Sequence, residues 1–130
     1  MKKQLLVLLV TISALAIARA AELSPSDKQF LSGYEQIHDA LAADNLTGAK
    51  KAAASLPENA GADLAKSDSL DKARAAFSKL SDRAVKLASG HSGYHVFHCD
   101  MVNKDWVQTS ASVANPYGGK EMVGCGEEKK

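Results

Sequence analysis

Apolar positions recur at helical spacing through most of the chain and give way to alternation only near its end. Phe30, Leu31, Tyr34, Ile37, His38 and Leu41 share one face of a helix. Ser24-Pro25-Ser26-Asp27 supplies its start, with a capping hydroxyl, a first-turn proline and a carboxylate facing free amides. Leu46, Ala49, Ala53 and Leu56 space a second amphipathic helix, opened by Asp44-Asn45 and stopped by Pro57. Gly48 weakens it by about 1 kcal/mol relative to alanine. A short turn of helix is expected around Ala62 to Lys66. From Ser69 onward Leu70, Ala73, Phe77, Leu80, Ala84 and Leu87 alternate spacings of three and four, a seam for packing on other helices, until Gly90 ends it. The reading is mainly α: three long helices and a short one, with short connections that favour an up-and-down four-helix bundle.

The pattern changes at Tyr94. Tyr-His-Val-Phe-His-Cys-Asp-Met is rich in aromatic and β-branched residues and predicts a strand over Tyr94 to Met101. His95, Phe97, Cys99 and Met101 would then share one face, and Tyr94, Val96 and His98 the other. A helix would instead cluster His95, His98 and Cys99. Trp106 to Gln108 reads as a second extended piece, completing a short β-hairpin in an otherwise irregular C-terminal segment. Asn115-Pro116-Tyr117-Gly118-Gly119 reads as a turn. Met122 to Cys125 brings in the last sulfurs, and Glu127 to Lys130 is expected to be a charged, frayed tail.

Composition sets the compartment. Lys2 and Lys3, an apolar run from Leu5 to Ala18 and Ala18-Arg19-Ala20 form the pattern of a secretory signal peptide over residues 1–20. The run falls short of the roughly 20 apolar residues that span a bilayer. Residues 21–130 then form a single domain with a modest core. Losing Lys2, Lys3 and Arg19 leaves thirteen basic residues against fifteen acidic ones, a net charge of −2 with histidines neutral. No basic stripe marks a nucleic-acid surface. His38 reads as a core-edge histidine bonded to a neighbour, and Trp106 and Tyr117 as anchors of the C-terminal segment.

The chemistry concentrates in residues 94–126, which hold both cysteines. An exported chain with two cysteines is the ordinary setting for a disulfide. Closing a loop of about 25 residues would contribute roughly 3–4 kcal/mol. The competing reading is a soft-metal site. Thiolate and thioether sulfurs select copper(I). Cys99, Met101 and Cys125 are the first candidate ligands, with Met122 and His98 in reserve and His95 as an alternative nitrogen. Paired-cysteine zinc spacing is absent. In either reading the Cys99 and Cys125 sulfurs come within about 4 Å. No enzyme is expected, because adjacent His98 and Cys99 point apart in a strand and no nucleophile–base–acid set presents itself.

Taken together, Cys99-x-Met101, Trp106-x-Gln108, Asn115-Pro116-Tyr117-x-Gly119 and Met122-x-x-Cys125-Gly126 resemble an uncharacterised bacterial periplasmic family. Its members occur as small exported proteins and as a domain on adaptor subunits of heavy-metal efflux pumps, with an alanine-rich helical region before the motif. The family's usual Cys-Pro-Met is departed from here, since Asp100 stands in place of the proline and loosens the backbone between the two sulfurs. The resemblance implies a periplasmic location and a metal-handling context, commonly copper, with an efflux adaptor as partner. The expected function is therefore binding of a soft metal, copper(I), for tolerance or delivery. The alternative is a disulfide-stapled interaction module without metal.

Overall fold

The computed structural model describes residues 21–130; the expected signal peptide, residues 1–20, lies outside the described residues. Four helices lead: α1 Pro25–Ala42, α2 Leu46–Ala54, α3 Ala62–Ala65 and α4 Leu70–Ala88. A small antiparallel sheet follows, of β1 His95–Cys99, β2 Lys104–Gln108 and β3 Glu127–Glu128, in the order β2-β1-β3. No described helix is long and apolar enough to cross a membrane.

The helix starts follow from their caps. The Ser24 side chain accepts from the Asp27 amide, Asn45 from Gly48 and Ser69 from Lys72. Each satisfies one of the amides that a helix start leaves unpaired. Asp44, at φ 56°, turns the chain between α1 and α2. α3 is a single turn of four residues. The inward stripe of α4 runs through Ala73, Phe77, Leu80, Ser81, Ala84 and Ala88. Its last turn therefore buries Ala88 where the three-four seam would place Leu87, because a straight helix repeats every 3.6 residues.

Extended structure over the expected first strand is confined to His95–Cys99, with Asp100 and Met101 in the following turn. Phe97 and Cys99 are buried on the inner face, as alternation requires, but Met101 has left that face. β1 pairs with β2 in the register Phe97↔Trp106 and Cys99↔Lys104. The tail is not frayed. Glu127 and Glu128 pair with His98 and Phe97, and the Lys129 amide donates to the Val96 carbonyl at 2.8 Å. The expected hairpin is thus two strands of a three-stranded sheet.

A run of aromatic rings joins the helices to the sheet. Tyr34 of α1 stacks on Phe77 of α4 with centroids 4.7 Å apart, and Phe77 meets Tyr117 at 5.6 Å. Tyr117 meets Trp106 edge-on at 6.3 Å, and Trp106 stacks on Phe97 at 5.9 Å. Such pairs add to the area that each ring already removes from water. β2 packs on α4, so the sheet is seated on the helices and its position is fixed by the core.

Candidate functional site

Cys99 ends β1 with its side chain turned inward and buried. Cys125 lies just before β3 and is half-buried. The two form a disulfide with Cα atoms 5.7 Å apart. The juxtaposition of the two sulfurs expected from sequence is thus met by a covalent bond, the sort of link associated with oxidising compartments.

Asn115 positions Cys125. Its Nδ2 donates to the Cys125 carbonyl at 3.0 Å, while its Oδ1 accepts from the amides of Tyr117 at 2.8 Å and Gly118 at 3.0 Å. The Asn115 amide also donates to the Val123 carbonyl at 2.8 Å. Fully buried, Asn115 satisfies three of its side-chain bonds and closes the turn over the cysteine. Gln108 does the same for the preceding loop. Its Oε1 accepts from Trp106 Nε1 at 2.9 Å and the Ala114 amide at 3.1 Å, and its Nε2 donates to the carbonyls of Ser110 and Ser112. The polar residues of the C-terminal motifs thus hold the backbone that delivers Cys125.

The disulfide lines an open groove of about 560 Å³, together with His98, Asp100, Met101 and the residues of the tail. Met101 is 78% exposed there, at the turn between β1 and β2. Its thioether is free of the packing that normally holds a methionine. Met122 does not line the groove; it packs at the edge of the core, beside Gly118. The structure therefore gathers Cys99, Cys125, Met101 and His98 at one place and leaves Met122 at another. His95 does not line the groove either; its Nδ1 lies 2.6 Å from Oε1 of Glu128, a residue that does.

His98 stands between two carboxylates. Its Nδ1 lies 2.6 Å from Asp105 Oδ1 and its Nε2 3.0 Å from Asp100 Oδ1. A metal ion could reach either ring nitrogen only by displacing one of these partners. Asp105 is also 2.7 Å from Lys129 Nζ. Burial alone would raise the Asp105 carboxyl, but the bonds from Lys129 and His98 outweigh it and hold the group below the usual carboxylate range.

Sequence reasoning missed this charged frame around His98. The partners Asp100 and Asp105 lie two and seven residues on, and only the β1–β2 register brings Asp105 opposite His98. It also missed the tail's part in the groove wall, since a two-residue strand of glutamates carries no alternating signal.

No protein-family model, curated protein or solved structure matches the chain.

Proposed function

We propose that this protein is an exported, periplasmic domain that binds copper(I) through Cys99, Cys125 and Met101 when the cysteine pair is reduced. The helices serve as an up-and-down bundle beneath the site, and the bound ion is held for tolerance or passed to a heavy-metal efflux adaptor. The observation that carries this reading is the exposed Met101 thioether on the wall of the groove where the two cysteine sulfurs meet. A disulfide that only staples the fold has no use for a solvent-facing methionine beside it. Two thiolates and a thioether form a soft donor set that favours copper(I) over harder ions. The motif resemblance adds the metal-handling context and the adaptor.

The disulfide is the oxidised form of this site. A dithiol reductant opens it: one reductant thiolate attacks the half-buried Cys125 sulfur, Cys99 leaves, and the second thiol resolves the mixed disulfide. Two electrons and two protons enter the pair, and the reductant becomes a disulfide. Copper(I) then displaces the two thiol protons. His98, already bound on both nitrogens, stays outside the primary set.

Titration of the reduced protein with copper(I) against a competing chelator, without oxygen, tests the reading. The expected result is one ion per chain, weakened at least tenfold in Cys99→Ser and measurably in Met101→Leu. Equal affinity in wild type and Cys99→Ser would remove it. The formed Cys99–Cys125 bond favours the second reading, a stapled interaction module without metal. That reading is preferred if the thiols of protein taken from the periplasm are fully oxidised and no copper(I) binds after reduction.

A further inference from the structure

The groove is not the only place where ligand atoms converge. Glu35, His38 and Asp39 stand at positions i, i+3 and i+4 of α1, on one face, with one ligand atom from each within 4.8 Å of the others. Two of the three are oriented from outside the group. The Ala114 carbonyl lies 2.7 Å from His38 Nε2, and Glu35 Oε1 accepts from the Thr109 amide at 3.1 Å and its hydroxyl at 2.9 Å. The loop after β2 thus closes on α1 by holding these side chains in place.

His38 is 2% exposed. A carbonyl can only accept, so Nε2 carries a hydrogen, and in the neutral ring Nδ1 is left with a lone pair. The atom facing that lone pair is Asp39 Oδ1, at 2.9 Å, which is also an acceptor. The contact between Nδ1 and Oδ1 therefore holds only with a hydrogen or a cation between the two atoms. A hydrogen there makes it the His38–Asp39 hydrogen bond; a metal ion would take the same place. A ligand histidine whose other nitrogen donates to a carbonyl is the usual outer-shell arrangement at metal sites. Asp39 is exposed, so an ion has a path in, and Glu35 keeps Oε2 free.

We propose that His38 Nδ1, Asp39 and Glu35 bind a first-row divalent cation of the zinc type, independently of the cysteines. The donor set is one nitrogen and two carboxylates, which suits zinc and excludes the soft monovalent ion of the groove. Three protein ligands on one helix leave the remaining positions to water. This site does not rest on the reading of the sulfur groove, since it uses none of its residues.

The test uses oxidised full-length protein, in which the thiols are unavailable, titrated with zinc chloride and followed by histidine-ring nitrogen spectra. The expected result is saturable binding that shifts the His38 Nδ1 resonance and leaves the Nε2 hydrogen in place. Affinity should fall at least tenfold in Asp39→Asn and in Glu35→Gln. Asp39 is solvent-facing, so Asp39→Asn keeps the fold even where His38→Gln does not, and amide spectra check this. Zinc that shifts only the rings of His95 or His98, or that binds Asp39→Asn as tightly as wild type, would overturn the proposal. So would the absence of saturable binding, which leaves a ring proton as the charge between His38 and Asp39.

Discussion

The hydroxyl of Ser81 lies 2.7 Å from the phenolic oxygen of Tyr34, across 47 residues of chain. The same hydroxyl is 2.8 Å from the Tyr117 phenol, so one small side chain of α4 ties α1 to the C-terminal segment. Tyr34 in turn accepts from the Val107 amide of β2 at 3.3 Å. Ser81→Ala leaves two largely buried phenols short of a partner and is expected to destabilise the fold by about 1–3 kcal/mol. Urea denaturation followed by circular dichroism measures it; a change within error of zero would show that water replaces the hydroxyl.

The same burial makes the phenols resist ionisation. Desolvation is the main cause in both, pushing Tyr117 up to about 12 and Tyr34 higher still. A raised value means that the neutral phenol stabilises the fold fully below the unfolded value of about 10, and that this contribution is lost as pH rises beyond it. Absorbance titration near the phenolate band should find Tyr117 ionising around 12 and Tyr34 only with unfolding.

Cys99 and Cys125 are 26 residues apart in sequence. Joining them restricts the unfolded chain, and a loop of that size contributes about 3.5 kcal/mol in the loop-entropy account. The double variant Cys99→Ala/Cys125→Ala should lose stability on that scale while keeping helical circular dichroism, because both cysteines lie in the C-terminal segment, outside the four helices. Trapping with a small thiol should give the mixed disulfide at Cys125, the less buried sulfur; adducts found only on Cys99 would contradict the order of steps given above.

Acid should weaken the sheet end through Asp105. Its folded-state value is depressed, so its contribution is complete above the ordinary carboxyl range near 3.9 and disappears as pH falls through the lower folded value. Asp44 behaves alike, held low chiefly by its hydrogen bond from Arg74 and then by the Lys120 amide. Melting temperatures between about pH 5 and 2 should fall less steeply in Asp105→Asn than in wild type. Parallel curves would mean that Lys129 and His98 give Asp105 no net advantage.

Gly119 sits at φ 59° where a Cβ would collide with the Asp44 carboxylate and come within 2.6 Å of Arg74 Nη2. Those two groups are bonded to each other at 2.7 Å, and Arg74 also donates to the carbonyls of Leu41 and Pro116. Gly119→Ala therefore combines backbone strain with a broken ion pair, and a loss of about 1–3 kcal/mol is expected. Thermal melts compared with Arg74→Ala would separate the two effects.

The helices were legible because their signals are local. Caps at Ser24 and Asn45, the stop at Pro57 and the spacing of Phe30, Tyr34, Ile37 and Leu41 all lie within a turn or two of what they determine. The two strands of the hairpin were legible for the same reason, and so was the meeting of the two cysteines, which both fall in the one segment that carries the chain's sulfur chemistry. What the sequence hid is set by long-range contacts. Glu127 and Glu128 have no strand propensity, and they pair only because the link to Cys99 and the Asn115 turn bring them beside β1. Met101 leaves the buried face because Asp100 turns the chain one residue after Cys99. The partners of His98 and the outer supports of Glu35 and His38 come from other elements, and no spacing along the chain announces them.

The backbone at Gly126 rests against the indole of Trp106, close enough that a Cβ there would be 2.7 Å from Cη2. Trp106 is the sole tryptophan of the chain. The protein thus carries its own optical probe of the C-terminus: intrinsic emission excited at the indole band reports whether the last residues are in place. Opening of the crosslink can be followed in real time without attaching a dye.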